Sequence, residues 1–290
     1  MVSRVTRVPL RRHPQPSVQI SVRRLSLNRF SRRWIITVTA ICMIALAVGV
    51  APLLAPYNPV AINAADRAQA PSFAHLFGTD HFGRDLFSRV LVGAQPTLQV
   101  ALGAVMIGAL PGLILGLVAG TRRGIFDQIV TQISDAWIAV PGVMVALVMS
   151  AAFGRSLLIL AIALGISSIP MFYRVLRAET MRVSAEPYVE AAISLGATHR
   201  GLLFRHIFPN VAPAFIALVT ISLGRMLLAT SALSFIGLGA PPPSSEWGSL
   251  LAEGRAYMDE HWWLIFFPGL TIALATYVVF LFGTALRDQC

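Results

Sequence analysis

Six stretches of this 290-residue chain are apolar enough and long enough to cross a lipid bilayer, at about 34–56, 93–120, 127–153, 155–173, 211–238 and 262–286. A helix crosses a hydrocarbon core of about 30 Å with some 20 residues. In lipid every backbone amide must be bonded within the protein, so a spanning run of this kind folds as a helix. Charged residues make up 12% of the chain, against about 25% in an ordinary soluble domain. A soluble protein of that composition could not cover its own surface, and 56% hydrophobic residues exclude disorder. The fold class expected is an all-α polytopic membrane protein with six transmembrane helices.

The net charge is +10, and all 23 basic residues are arginine. A phosphate-binding loop needs a lysine on the phosphates, and a Schiff-base enzyme needs a lysine amine. The chain has neither, so any ATP its machine consumes is hydrolysed by another polypeptide. HExxH is absent, no nucleophile–base set stands out, and the charge distribution is not that of a nucleic-acid binder. Asp80, His81 and Asp85 lie close together but lack the spacing of a closed metal-ligand set. The expectation is a non-catalytic chain with no metal and no bound cofactor. Cys42 and Cys290 suggest two unpaired thiols.

Arginine placement orients the spans. Residues 1–33 carry nine arginines, three prolines and no acid, as expected of a basic cytoplasmic tail drawn to anionic membrane lipid. A basic tail before an apolar run also fits a secretory signal, and Ser31-Arg32-Arg33-Trp34 faintly resembles a twin-arginine one. The run from Trp34 to Pro56 is longer than a signal core, which favours a retained first span. With the N-terminus inside, seventeen arginines face the cytoplasm and five face out, with Arg225 inside a span. That asymmetry obeys the positive-inside rule and puts both termini in the cytoplasm. Two long loops then face out, 57–92 and 239–261, and one faces in, 174–210. Trp247, Trp262 and Trp263 fit an interfacial belt. The chain divides into the tail 1–33, a first helix and outer loop 34–92, and a membrane domain 93–290 containing the inner loop.

The inner loop is the most informative segment. Pro187 suits the first turn of a helix that continues to Leu195, where Gly196 can stop it. Thr198 can cap a second helix through Leu202, Leu203 and Phe204, ended by Pro209. A short apolar helix pair that leaves the bilayer has to bury its face, either on the chain's own helix ends or on a cytoplasmic partner.

Glu190-Ala191-Ala192-x-x-x-Gly196 followed by Ile207-x-Pro209 matches the EAA signature of ABC-importer permeases. The wider strings around it are similar to the dipeptide/oligopeptide (peptide/nickel) importer group, specifically its C-type subunit. So are the outer-loop string from Phe77 to Arg89, with Gly78, Thr79, Asp80, Gly83, Arg84 and Asp85, and the segments Leu233–Gly239, Pro241–Gly248 and Phe267–Gly269. Asp135 and Pro141 fit that group's third permease helix. Residues 229–232 and 283–288 depart from the group's common pattern.

The resemblance implies a MetI-like permease fold, half of a peptide translocation pathway in the inner membrane. It implies a homologous B-type permease partner, two ATPase subunits that use ATP and magnesium, and an extracytoplasmic substrate-binding protein. Glu190, Ala191, Ala192, Gly196, Ile207 and Pro209 would form the coupling contacts with the ATPase. The proline run 241–243 would stiffen an outer platform for the binding protein.

Charges inside spans cost a few kcal/mol unless they face a polar interior. Asp135 and Arg225 are therefore candidate pathway-lining residues, with Arg225 able to attract a peptide carboxylate. Each is otherwise satisfied locally or across a subunit interface. Their offset in depth, about 9 Å along the helix axes, makes a direct pair awkward. The alternative function is a self-contained secondary transporter or channel. That would call for several intramembrane acids or an internal repeat, and the spans show one clear acid and no evident repeat.

Overall fold

The computed structural model describes residues 49–287. The basic tail, most of the expected first span, Cys42 and Cys290 lie outside the described residues. The end of that first span is seen as a short 3-10 helix, Ala51–Leu54, with Ala51 buried against the helix that follows.

Eight α-helices organise the described residues, which contain no β-strand. Helix α1 is Leu86–Arg122, α2 Ile125–Ile138, α3 Gly142–Phe153, α4 Leu157–Ser184, α5 Pro187–Ser194, α6 His199–Phe235, α7 Trp247–Gly254 and α8 Trp263–Arg287. Helices α1, α4, α6 and α8 are each long and apolar enough to cross a membrane, and α2 with α3 adds a fifth crossing if the bent pair counts as one span. The α5 end of the bundle holds the end of α1 and the start of α6. The α7 end holds the opposite termini.

Where boundaries differ from the sequence expectations, capping and proline chemistry explain why. Helix α1 starts at Leu86, ahead of the apolar run at 93–120, because the Asp85 carboxylate accepts from Ser88 N at 2.7 Å and closes the first turn. The division drawn at 92/93 therefore falls inside a helix. The run 127–153 is not one helix: α2 and α3 meet at an 80° bend. Pro141 has no N–H to continue α2 and pushes the residue before it out of the helical region. Helix α4 does not stop where apolarity stops at 173. Ser156 caps its start, and its charged last turns run on to Ser184, past the membrane-compatible part. The inner loop thus shrinks to α5 and its two short connections.

Pro209 does not end the second inner helix. Residues Leu202–Ile207 form a π-helical segment, in which Phe208 N bonds to Leu203 O. The chain then passes straight into the long apolar part of α6, with Pro209 in the first turn after the shift. A π-bulge changes the register of the bonding ladder. A proline at the start of the new register needs no N–H partner.

Helices α1 and α4 lie against each other along most of their length, and the cause is a run of small residues. Gly108, Gly112, Gly116 and Gly120 recur every fourth residue on one face of α1. A Cβ on Gly112 would come within 2.4 Å of Phe172 Cβ, and one on Gly116 within 2.9 Å of Arg177 N. Only hydrogen fits there, and backbone approach of this kind drives helix association in lipid. Around the pair, Val105, Phe172, Leu176, Ile207 and Val211 form a core at the α5 end. Leu86, Leu227, Trp247, Leu250 and Trp263 form another at the α7 end.

Two of the tryptophans expected in an interfacial belt are internal. Trp247 donates to Val90 O at 2.8 Å and Trp263 to Thr79 O at 3.1 Å. Trp262 alone of the three is exposed. Each buried indole finds a carbonyl for its N–H, which is what lets it leave the interface.

Candidate functional site

At the α5 end, the EAA segment forms a short helix held on one side only. Val189 is 1% exposed and Ala192 is buried, while Ile193 is 55% and Leu195 88% exposed. The inward face packs on the π-helical start of α6, and Tyr188 Oη donates to His206 O at 3.4 Å. One face of this helix is therefore buried on the chain's own helix start, and the other is bare. Glu190 and Ala191 belong to the bare face, Ile207 is buried beneath, and Pro209 is exposed at the root of α6. Gly196 ends the helix with φ +82°, a conformation that a side chain strains, and a Cβ there would meet nothing within 4 Å. Backbone conformation, not crowding, requires the glycine. Thr198 Oγ1 then accepts from Gly201 N at 3.2 Å and starts the next helix.

In the membrane-spanning part, Asp135 and Arg225 do not meet. Asp135 on α2 pairs with Arg174 on α4, and both side chains are half-exposed. Arg225 on α6 points to the same strip of α4, where its Nη1 lies 2.7 Å from Met171 Sδ. Deeper toward the α5 end, Asp127 is gripped by both arms of Arg177, with Nη2 to Oδ2 at 2.6 Å, and accepts from Tyr173 Oη at 3.3 Å. Thr131 completes that network with a hydroxyl contact to Tyr173 at 2.8 Å. Sequence reading missed Arg174 and Arg177 as partners because each lies some forty residues or more from its carboxylate.

At the α7 end, the outer-loop motif folds into a charged clasp. Asp80 closes a tight turn: its Oδ1 accepts from Phe82 N and Arg84 N at 2.8 and 3.0 Å. Gly78 and Gly83 have φ of +75° and +77°, and a Cβ on Gly83 would fall 1.8 Å from Asn63 O. Asp80 Oδ2 receives Arg84 Nε at 2.6 Å and Arg89 Nη1 at 2.8 Å. Both guanidiniums also reach Glu253 on α7, at 2.6 and 2.9 Å. Asp85 binds His75 Nδ1 at 2.9 Å beside its capping bond. Thr79 Oγ1 accepts from Gln69 N at 2.8 Å, and its carbonyl accepts from Trp263 Nε1. Glu253 was not anticipated, although Arg89 stands within the motif quoted. The His81 ring lies over Tyr257 with ring centroids 4.6 Å apart, and burial pushes its pKa below the usual imidazole range against the opposing pull of Asp80. The charges are mutually neutralised and buried, so the clasp joins the two loops.

Comparison with known proteins bears on these features. The profile of the family described as "Binding-protein-dependent transport system inner membrane component" matches residues 112–289. A dipeptide transport system permease protein of Alkalihalophilus pseudofirmus is 35% identical over 266 residues, covering 92% of this chain and 86% of that protein. A glutathione transport system permease protein of Escherichia coli O6:K15:H31 is 38% identical over 264 residues, covering 90% and 87%. Among solved structures, the inward-facing MetNI methionine ABC transporter is similar with a TM-score of 0.58 at 17% identity, over 70% of this chain and 96% of that one. An amino acid ABC transporter gives 0.53 at 21% identity, over 69% and 91%. The structural likenesses carry the fold, and the relatives and the profile carry the membership. With its several spanning helices and the half-bare helix between α4 and α6, the chain is a multi-pass membrane protein that belongs to the family of binding-protein-dependent transport system inner membrane components.

Proposed function

We propose that this chain is one of two permease halves of an ATP-driven peptide importer, worked through α5 by an ATPase beneath it. The observation that carries the reading is the state of α5: anchored by Val189, yet presenting Ile193 and Leu195 to a partner the chain does not supply. Domain closure on ATP would push on that face. The push reaches α6 directly, because α5 rests on the π-helical segment from which α6 rises. Rigid-body rocking of packed helices then opens or closes the path. The small Ala191 permits close approach, Glu190 is a charged contact on the same face, and Gly196 fixes the bend.

The orientation follows from the arginines: the α5 end faces the cytoplasm and the clasp faces outward, where a binding protein delivers substrate. Asp135 and Arg225 line the path shared with a homologous second permease. Peptides are the substrate class supported by the names of the relatives. ATP and magnesium belong to the ATPase subunits.

The test is peptide uptake by the complete assembly in proteoliposomes. Ala191→Trp and Glu190→Arg are expected to lower ATP-dependent uptake at least tenfold, and to weaken co-purification of the ATPase, with membrane insertion unchanged. Uptake as fast as the parent's, or ATP-independent transport by this chain alone, would sink the reading.

A further inference from the structure

Helices α2 and α4 are joined by two carboxylate–arginine pairs that differ in kind. The pair nearer α5, Asp127 with Arg177, is two-armed, and Tyr173 adds a third bond from a buried ring. Among the described residues Asp135 is held by one contact, from Arg174 Nη2 to Oδ1, and half of each side chain is open. A single-point, exposed pair is easily exchanged. Arg225 is less satisfied still. Its one polar contact among the described residues is the Met171 thioether, a weak acceptor with no charge.

Met171 and Arg174 are three residues apart on α4 and so share a face. Arg225 and Asp135 therefore flank one strip of that helix. The strip holds two positive groups and one negative, an open site for one more anion. Arg225 stands 17 residues after Phe208 and ten before Phe235 in α6, far from either helix end. A guanidinium at that depth without a counter-charge has to face a polar interior.

We infer that this strip binds the two ends of a zwitterionic peptide: Arg225 receives the free C-terminal carboxylate, and Asp135 exchanges Arg174, which then turns to the solvent it already half-faces, for the N-terminal ammonium. The inference rests on the peptide-permease reading, and it assigns to this chain a selectivity for free peptide ends beyond whatever the binding protein imposes. Arg174 is the resting occupant of the ammonium position. It keeps Asp135 neutralised while the path is empty, and because the pair is single-point and half-exposed it yields its place to the ammonium when the carboxylate is seated on Arg225.

The experiment compares uptake of dialanine, its C-terminal amide and its N-acetyl derivative by the full assembly in proteoliposomes, at saturating binding protein and peptide. The parent is expected to carry the free dipeptide at least tenfold faster than either blocked form. In Arg225→Gln the free-acid to amide ratio falls toward one, and in Asp135→Asn the free-amine to acetyl ratio does. Arg225→Lys keeps the first ratio, since it keeps the charge. Met171→Leu also keeps it, whereas a merely structural Arg225–Met171 contact would make Met171→Leu behave like Arg225→Gln. Should the Gln variant fail to insert, Arg225→Met supplies a neutral side chain that lipid accepts readily. A ratio unchanged in the neutral variants overturns the inference and leaves the permease reading standing. A parent that moves no dialanine with ATP overturns the peptide reading itself.

Discussion

Asp80, Arg84, Arg89 and Glu253 place two positive and two negative charges where water scarcely reaches; Arg89 is 1% exposed. Taking such groups out of water is costly, and mutual contact offsets the cost only while all four are present. Removing one leaves an uncompensated buried charge. Glu253→Gln should therefore destabilise the α7 end by about 3–5 kcal/mol, read as an earlier melt of the detergent-purified protein, while Glu260→Gln on the exposed loop should leave the melt alone. His81 adds a pH dependence to the same region. The unfolded imidazole takes up a proton near pH 6.5, and the folded one only at lower pH because burial penalises its charged form. Between those values the unfolded chain holds more protons, so stability falls as pH drops below about 6.5. His81→Phe keeps a ring against Tyr257 and should flatten that part of the pH–melting curve. A slope equal to the parent's would refute the assignment.

At the level of elements, the α1–α4 seam depends on the absence of side chains. Gly112→Ala places a methyl 2.4 Å from Phe172 Cβ. The helices must part, and overpacking of this kind costs about 1–3 kcal/mol. Gly103→Ala lies on the same helix, but its nearest neighbour would be Ala161 Cβ at 3.8 Å, an ordinary contact. There alanine should be neutral or gain up to about 1 kcal/mol from helix propensity. Thermal melts of the two variants separate seam packing from general helix effects, and equal shifts would sink the argument. The seam was not read from sequence, though a four-residue glycine repeat was there to find. What was legible were the apolar runs, because hydropathy and lipid leave them one fold. Their ends were not. Apolarity marks where lipid begins, whereas Asp85, Ser156 and Pro141 mark where helices begin and break. Arg174 and Arg177 on α4 were counted as loop because they are charged, and a helix continues through charges that are paired, as these are with Asp135 and Asp127.

Across the whole molecule, the same contrast holds for function. The EAA helix was legible as a motif, and Gly196 ends it and Thr198 caps the helix that follows where the sequence placed them. The way it connects to the membrane was not legible, because Pro209 in sequence looks like a stop. The π-helical segment Leu202–Ile207 turns that stop into a continuous strut from α5 to the α7 end of α6. A π-bulge is an α-helix carrying one extra residue. Deleting Phe204 and Arg205, whose side chains are both exposed, removes that extra residue and one more, so the restored α-helical ladder should rotate everything before it by about 100° about the α6 axis, one residue of a 3.6-residue turn. Val189 would leave its seat beneath the spans, and Ile193 and Leu195 would turn away from the face they now present. Helices α6 to α8 keep their own packing, so the deletion variant should insert and melt close to the parent, yet lose ATP-driven uptake at least tenfold in the reconstituted assembly. Parent-like uptake from a stably inserted deletion variant would mean that α5 does not act on the spans through this strut.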